Sequence, residues 1–260
     1  MFAKVKPNTR IIGQNIIYFN QVPSTNSYAF ELLKQKIAVN GSVIIAEYQT
    51  EGKGQSGKLW YSEAYKNLLF SLIIKPVTKH NLNPFSINKA IAIAMQKTIQ
   101  TLLPNQNVNI KWPNDILIKR QKVCGILTEN NFTGQQLNAC VIGIGLNVNQ
   151  IMKKNDQFLS CSLCMFSDNE FDRQVILKQI LESIEYEVDK LFTGKEHEVQ
   201  SQYNELLLGY KQVQGFLLNS QQISAKLQGC DINGSLIIQQ GDGSEESYLH
   251  GTIKQLINNE

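Results

Sequence analysis

The sequence contains few arginines and no run of basic residues. Only three of its 25 basic residues are arginines, Arg10, Arg120 and Arg173, and the formal net charge at pH 7 is +3. Proteins that bind nucleic acid usually carry a concentrated basic surface, because they must neutralise phosphates. We therefore expect no nucleic-acid partner.

Long apolar segments are also missing. No window approaches the roughly 18 uninterrupted apolar residues that a helix needs to cross a bilayer. The apolar stretch near the start of the chain is interrupted at Gly13, Gln14 and Asn15, so it does not resemble a secretory signal. With 42% hydrophobic and 18% charged residues, the composition is that of an ordinary globular protein. We expect a cytoplasmic protein without a membrane partner.

Cysteine and histidine provide no obvious site. Five cysteines are an odd number, which fits reduced thiols better than a disulfide framework. Cys161 and Cys164 form one C-x-x-C, but no second pair completes a zinc site, and a redox role would require a thioredoxin-like strand and helix around them. The histidines, His80, His197 and His250, are scattered along the chain and predict no catalytic triad.

What the chain does contain is a glycine-rich segment between two predicted strands. Gly52, Gly54 and Gly57 form a G-x-G-x-x-G pattern, which allows backbone N–H groups to approach a phosphate closely. A Rossmann or P-loop site would continue into a helix, whereas the apolar run LLFSLII that follows predicts a strand. A phosphate would then depend on loop amides and on Lys53 and Lys58. An ordinary glycine-rich turn is the alternative.

A cluster of small polar residues precedes the first predicted helix. Ser24 or Thr25 is placed to cap this helix, whose apolar positions begin at Ala29. Capping alone explains the pattern. The functional alternative is that Ser24, Thr25 and Asn26 hydrogen-bond a small polar ligand at the helix start.

Two predicted strands meet at a Trp-Pro-Asn-Asp turn. Proline cannot donate to a strand ladder, so this junction must be a bend, and it holds Lys111, Asn114 and Asp115 close together. The window from Lys111 to Lys122 carries four cations and one anion. A turn with solvated lysines explains this charge pattern equally well.

Periodicity predicts an α+β fold. Strands are predicted over residues 10–19, 42–49, 67–74, 108–118, 122–129 and 137–149. Helices are predicted after Ser24, after a Ser86 cap, and over residues 172–192 and 195–208. The helix over 172–192 has an apolar face, which we assign to Val175, Ile180, Ile184, Val188 and Leu191. Short strands at 222–227, 235–240 and 248–256 with glycine turns predict a small β-barrel.

Five motifs, in order and correctly spaced, resemble biotin–protein ligase. They are PSTNSY at 23–28, EYQTEGKGQSGKLW at 47–60, KWPNDI at 111–116, KVCGIL at 122–127 and VIGIGLNVN at 141–149. The resemblance implies a mixed β-sheet backed by helices, the fold shared with lipoate ligases, in a catalytic domain over residues 1–210. A small C-terminal SH3-like β-barrel domain would occupy residues 211–260.

The resemblance also implies a reaction. Biotin would react with ATP and Mg²⁺ to give biotinoyl-5′-AMP, and a specific lysine of a biotin carboxyl carrier protein would then take the biotin. No tightly bound cofactor is expected, and the protein would be a monomer or a homodimer. A lipoate–protein ligase on the same fold and a non-catalytic sensor of biotin or its adenylate are the alternatives.

Site residues are carried over by matching position. The implied catalytic residues are Lys122, Asp115 and Lys53. The implied biotin contacts are Ser24, Thr25, Asn26, Gln49, Gly52, Lys53, Gly54, Gln55 and Lys122. The implied nucleotide contacts are Gly52, Gly54, Gly57, Trp60, Lys111, Asn114 and Asn147. Asp115 is also the candidate Mg²⁺ contact and the group expected to orient or deprotonate the acceptor amine.

Two departures from the family change these expectations. Well-known members read G-R-G-R in the loop, where this chain has Lys53 and Gln55 beside the glycines, so we expect a weaker hold on the adenylate unless Lys58 compensates. Some relatives carry a helix-turn-helix domain before the ligase. Here the Ser24-Thr25 motif comes too early for one, which predicts a ligase without repressor function.

Overall fold

Seven strands form one mixed sheet in the computed structural model, which describes residues 2–76, 83–134, 136–151 and 160–257. They are β1 (Ile16–Val22), β2 (Val43–Gln49), β3 (Leu68–Ile74), β4 (Val108–Lys111), β5 (Asp115–Ile118), β6 (Gln121–Thr133) and β7 (Gln136–Leu146). Their order is β1-β2-β3-β7-β6-β5-β4. β1 and β2 are parallel, and the other neighbours are antiparallel. The predicted α+β class is confirmed; His80 lies outside the described residues.

Helices cover the two faces of this sheet unequally. They are α1 (Thr25–Lys34), α2 (Pro84–Leu102), α3 (Arg173–Phe192) and α4 (Glu196–Glu205). α1 packs alone on one face, where Ala29 and Leu32 contact Ile44 and Ile73. The other three helices form the main core on the opposite face. None of the helices in the described ranges combines the length and apolarity needed to cross a membrane.

A second, smaller sheet follows the helices. Its strands are β8 (Val213–Leu218), β9 (Gln221–Cys230), β10 (Leu236–Gln239), β11 (Glu245–Tyr248) and β12 (Ile253–Gln255). They lie in the order β11-β10-β9-β8-β12, and neighbouring strands are antiparallel. This arrangement is consistent with the predicted SH3-like barrel. Phe216, Leu227 and Ile238 belong to the same buried cluster as the helices, so the two parts share a core; the boundary at residue 210 stays a prediction.

Two local predictions about the helices are wrong. Ser86 does not cap α2: the side chain of Asn83 accepts from the N–H of Phe85, Pro84 occupies the first turn, and Ser86 instead contacts Glu196. Proline is favoured at this position because its missing N–H would have no helical partner there. Val175 does not line the buried face of α3 and is exposed. That face begins one position later, at Ile176.

Strand boundaries also differ from the predictions. The first strand begins at Ile16 rather than residue 10, because the N–H groups of Arg10, Ile11 and Ile12 are bound by Glu185 of α3. The predicted strand over 248–256 is divided by a turn into the end of β11 and the whole of β12. β8 was not predicted from the sequence.

Candidate functional site

Glycines form a trough on the α1 side of β6 and β7. In β7, Ile142 and Ile144 point into the main core, so Gly143 and Gly145 between them face the α1 side. A Cβ atom at Gly143 would lie 2.5 Å from Oδ1 of Asn26, and a Cβ atom at Gly145 would overlap the Trp60 ring. Gly125 of β6 lies opposite Gly145, and a Cβ atom there would lie 2.8 Å from the Trp60 ring. The missing side chains therefore make room for groups that lie across the sheet.

Buried hydroxyl and amide groups occupy one end of this trough. Thr25 contacts Oε1 of Gln49 through its N–H at 2.7 Å and its hydroxyl at 3.0 Å. The Ser71 hydroxyl lies 2.6 Å from Oγ1 of Thr25 and 2.5 Å from Oδ1 of Asn26. Nδ2 of Asn26 donates to Glu129 at 2.7 Å. We call these five residues, Thr25, Asn26, Gln49, Ser71 and Glu129, the polar cluster.

The start of α1 holds the polar cluster in place. The Ser24 side chain accepts from the N–H of Ser27 at 3.4 Å, which makes Ser24 the helix cap. Ser24, Thr25 and Asn26 are all buried. The predicted capping role is confirmed for Ser24, and the side chains of Thr25 and Asn26 lie in the trough; their predicted contacts with a ligand, and that of Ser24, stay predictions.

Sequence reasoning missed two members of the polar cluster. Ser71 is fully buried in β3 and is the one hydroxyl in the apolar run LLFSLII. That single polar residue was a usable signal, because a buried hydroxyl requires a hydrogen-bond partner. Glu129 lies on β6, and no local pattern connects it to Asn26, which is 103 residues away along the chain.

Charged groups gather at the other end of the trough. Nζ of Lys122 lies 2.6 Å from Oδ1 of Asp115, and the same ammonium group lies 5.3 Å from the centre of the Trp60 ring. Lys111 is paired in register with Asp115 across the β4–β5 hairpin. Lys122, Asp115 and Lys111, which the sequence predicted as site residues, are thus brought together.

The pKa of Lys111 reflects this concentration of charge. Burial is the main cause that lowers the pKa, and Lys254, Lys122 and Lys58 lower it further, while Asp115 opposes them. These lysines come from four parts of the chain: the glycine loop, β4, β6 and β12. We call Lys58, Lys111, Lys122 and Lys254 the lysine cluster. Several cations around one carboxylate favour an anionic ligand.

The glycine loop is a hairpin between β2 and β3, as the sequence predicted. The Trp60 N–H donates to the Gly52 carbonyl at 2.8 Å, and the Gly54 N–H donates to the Lys58 carbonyl at 2.7 Å. Gly52 is required because a Cβ atom there would lie 2.5 Å from the Trp60 carbonyl oxygen. Residues 55–57 make a single tight turn, and Lys53 and Lys58 are exposed.

Trp60 lies between the two ends of the trough. Its ring rests against Gly125 and Gly145, and its Nε1 is buried with no hydrogen-bond partner among the described residues. A buried indole N–H normally finds an acceptor. The predicted contact of Trp60 with adenine stays a prediction, and the structure places the ring on the floor of the trough.

Asn114 and Asn147 have structural hydrogen bonds that the sequence did not indicate. Nδ2 of Asn114 donates to the Ile126 carbonyl, and Nδ2 of Asn147 donates to the Cys161 carbonyl at 3.0 Å. Both side chains are buried. They hold β5 and the segment at Cys161 against β6, on either side of Lys122. Their predicted nucleotide contacts stay predictions.

The residues suited to metal binding are sparse. No group of three or more His, Cys, Asp or Glu side chains suited to a metal ion occurs in the described part of the chain. A site with one carboxylate, Asp115, fits Mg²⁺ that arrives already bound to phosphates. The C-x-x-C cysteine Cys161 is buried, and burial raises the pKa of its thiol to about 12, which keeps the thiol protonated and unreactive.

Comparison with known proteins places these features in one family. The model of the biotin/lipoate A/B protein ligase family matches residues 18–147, which include the polar cluster, the glycine loop and three of the four clustered lysines. The chain belongs to this family. The match ends before the small sheet, so the family assignment rests on the part of the chain that carries the trough.

Curated relatives in this family are named as ligases, and some of those names include biotin. The "Bifunctional ligase/repressor BirA" of Bacillus spizizenii is 30% identical over 247 residues, which cover 92% of this chain and 74% of that protein. The "Biotin--[acetyl-CoA-carboxylase] ligase" of Mycobacterium tuberculosis is 29% identical over 167 residues, 64% of this chain and 60% of that protein.

Solved structures share the fold over nearly the whole chain. The biotin protein ligase from Aquifex aeolicus in complex with biotin and ATP superposes with a TM-score of 0.76 at 23% identity. The alignment covers 94% of this chain and 100% of that one, so it includes the small C-terminal sheet.

Proposed function

We propose that this chain is a biotin–protein ligase, which activates biotin as biotinoyl-5′-AMP and transfers it to a lysine of a biotin carboxyl carrier protein. One observation carries the proposal: a single trough has a largely buried polar cluster at one end and a lysine cluster at the other. The names of the curated relatives and the biotin and ATP in a solved structure of this fold support it.

The polar cluster suits the ureido ring of biotin. That ring offers two N–H donors and one carbonyl acceptor, so it needs both kinds of partner. Oε1 of Gln49 is occupied by Thr25, and its Nε2 points toward Gly52. The amide N–H group of Gln49 therefore provides a donor, while the oxygens of Thr25, Ser71 and Asn26 provide acceptors. The apolar ring of Trp60 borders the path of the aliphatic chain.

The lysine cluster suits the adenylation step. A carboxylate oxygen of biotin attacks the α-phosphorus of ATP, and the bond to the leaving pyrophosphate breaks. Negative charge rises on the α-phosphate oxygens as the bond forms, and fixed cations aimed at it lower the barrier. Lys122 is held by Asp115 beside the trough, and Lys111 lies next to it. Lys53 and the glycine loop around Gly52, Gly54 and Gly57 would close over the phosphate; in this structure the Gly54 N–H donates to the Lys58 carbonyl, so it would have to exchange that partner.

Mg²⁺ fits this site as a companion of ATP. When bound, it neutralises part of the phosphate charge. Mg²⁺ prefers one or two carboxylates together with substrate phosphates, and Asp115 is the carboxylate within the lysine cluster.

The transfer step needs a group that positions the acceptor amine. Asp115 lies at the turn beside Lys122, where its negative charge attracts the incoming ammonium. We predict that Asp115→Ala loses the transfer step while adenylation is kept. Asp115→Asn is the matched variant, because it retains shape and removes charge. Equal loss of both half-reactions in Asp115→Ala would count against this role.

The proposed function is tested by pyrophosphate release from Mg-ATP. The purified chain is incubated with biotin, with lipoate or with neither acid, and the adenylate is detected by mass. Biotin-dependent release with biotinoyl-AMP is the expected result. Release with lipoate alone would assign the sister activity of the family, and binding of biotin without release would indicate a sensor.

A further inference from the structure

Two loops of the small C-terminal sheet contact Trp112 of the Trp-Pro-Asn-Asp turn, one through Gly234 and the other through His250. The indole N–H of Trp112 donates to the Gly234 carbonyl at 3.0 Å, in a buried hydrogen bond. The His250 ring lies edge-on to the Trp112 ring with 5.4 Å between their centres. Trp112 immediately follows Lys111 and lies three residues before Asp115. The loop that carries His250 therefore packs against the residue that follows Lys111, and Asp115 and Lys111 are close enough to influence the imidazole electrostatically.

The position of His250 is defined by its own loop. This loop joins β11 to β12, and the Thr252 N–H and hydroxyl both contact the Leu249 carbonyl, at 3.1 Å and 2.8 Å. His250 itself forms a bridge with Ile253, which is buried in the core. The loop is thus anchored at its base, while the imidazole is accessible to solvent.

The groups that face His250 favour its neutral form. Partial burial lowers the pKa of the imidazole, Asp115 raises it and Lys111 lowers it again, with a net lowering. Trp112 packs against the ring and carries no charge. Neutral imidazole is the form that accepts a proton, and the lowered pKa of His250 favours this form at neutral pH.

The transfer step needs a proton acceptor. A lysine side chain has an ordinary pKa of about 10.4, so the incoming amine is protonated at neutral pH and cannot attack. Asp115 already pairs with the Lys122 ammonium at 2.6 Å, so one of its oxygens is engaged. A neutral imidazole beside the same turn is a better matched base.

We propose that His250 is a further catalytic residue, which removes the proton from the incoming lysine ammonium. This inference rests on the proposed function. The freed amine attacks the carbonyl carbon of the mixed anhydride and forms the C–N bond. The bond from that carbon to the phosphate oxygen breaks, and AMP leaves with the electron pair. Of the three ammonium protons, one goes to His250, one passes to the departing phosphate, and one remains on the amide.

The experiment compares two nucleophiles, one that must lose a proton to a base before it attacks and one that need not. Preformed biotinoyl-AMP is bound to the wild type or to His250→Gln, and one turnover is followed with two acceptors. One acceptor is the biotin carboxyl carrier domain of an acetyl-CoA carboxylase. The other is hydroxylamine, which is mostly unprotonated at neutral pH. We expect transfer to the carrier lysine to fall about 100-fold, as for loss of a general base, with hydroxylamine cleavage unchanged.

Two further readouts distinguish proton transfer from a structural role. In His250→Ala, free imidazole should restore part of the carrier transfer without affecting hydroxylamine cleavage. The rate difference between wild type and His250→Gln should shrink as pH rises toward the lysine pKa, because the amine then loses its proton unaided. His197→Gln on α4 is the matched control and should behave as wild type.

Several results would overturn the role of His250. Carrier transfer unchanged in His250→Gln would overturn it, as would equal losses with both acceptors or absence of imidazole rescue. Failure of the proposed function is distinguishable, because it would remove biotin-dependent pyrophosphate release from the wild type itself. Thermal unfolding midpoints and biotin affinity of the variants show that each protein is folded in these assays.

Discussion

The two ends of the trough are built differently. The polar cluster consists of three buried side chains, Thr25, Asn26 and Ser71, and two half-buried ones, Gln49 and Glu129, which hold one another through hydrogen bonds of 2.5–3.0 Å. The glycine loop, which borders the lysine cluster, is a hairpin held mainly by its own backbone, with Lys53 and Lys58 exposed. One end is therefore preorganised and the other is free to adjust.

This difference corresponds to two tasks. A small rigid ring is recognised best by groups that are already in place, because no ordering cost is then paid on binding. A phosphate that enters, reacts and leaves as pyrophosphate meets the fixed Lys122–Asp115 pair on one side and the exposed lysines of the loop on the other. We therefore expect substitutions in the polar cluster to change biotin affinity, and substitutions around the lysine cluster to change rates.

The largest effect is expected at the charged end, from Lys122→Ala. Removing one fixed hydrogen-bond donor that stabilises the charge developing in the transition state lowers the rate about 100- to 1000-fold. Biotin-dependent pyrophosphate release should fall by that factor, while biotin affinity changes much less. Lys195→Ala is the control, because Lys195 is an exposed lysine on the other side of the chain's core that pairs with Glu198. Adenylation at the wild-type rate would remove Lys122 from the mechanism.

A smaller effect is expected at the polar end, from Gly143→Ala. The added methyl group would displace Asn26, and overpacking of this kind costs about 1–3 kcal/mol. Biotin should bind about 10- to 100-fold more weakly, as measured by titration calorimetry. Gly241→Ala is the control, since a Cβ atom there has nothing within 4 Å. Unchanged affinity would show that the polar cluster is not rigid.

A third variant tests how strongly the glycine loop holds the adenylate. Gln55→Arg adds a cation where the family has arginine, and should slow release of biotinoyl-AMP. The expected change is at most about fivefold, because an exposed ion pair contributes less than about 1 kcal/mol. Release is followed by filtration of the labelled adenylate. Gln35→Arg, at the exposed end of α1, controls for added charge. Release as fast as in the wild type would contradict the predicted weak hold.

The smallest effect on ligand binding is expected far from the trough, at Glu185. Burial raises the pKa of this carboxyl, but the N–H groups of Arg10, Ile12 and Ile11 and the charge of Arg10 lower it more. Glu185→Gln should therefore reduce the free energy of unfolding at neutral pH by about 1–3 kcal/mol. Biotin affinity should not change.

The stability contribution of Glu185 should depend on pH in a definite direction. Because the folded-state pKa is lowered, the contribution of Glu185 is present above its unfolded value and is lost as pH falls through the folded value. Urea unfolding of wild type and Glu185→Gln should converge in acid, once the pH is below the lowered folded-state pKa of Glu185. A difference that persists there would mean that the contribution is not that of the ionised carboxylate.

Local patterns predicted most elements but not their exact ends. The apolar run of β3 excluded a Rossmann-type helix after the glycine loop, and the structure confirms strand, loop and strand. The start of α2 was placed wrongly because Asn83, Pro84 and Ser86 all carry helix-start preferences. Which of them prevails depends on Glu196, more than 100 residues away, which engages the Ser86 hydroxyl.

The candidate site was predicted where its residues lie in motifs. Lys122, Asp115, Thr25 and Asn26 were named because short segments of the sequence match a family. Ser71 and Glu129 were missed, since each is a single polar residue within a strand, and its meaning depends on which side chain it meets across the sheet.

The sequence by itself determined the strands, the helices and the family, because periodicity and motifs act over a few neighbouring residues. Only the tertiary structure decided that Lys122 pairs with Asp115, that Lys254 is near enough to Lys111 to lower its pKa, and that His250 stands beside Trp112. Those juxtapositions join residues up to 143 positions apart, counted from Lys111 to Lys254. Charge–charge interactions and burial depend on distances in space, so local sequence patterns do not predict them.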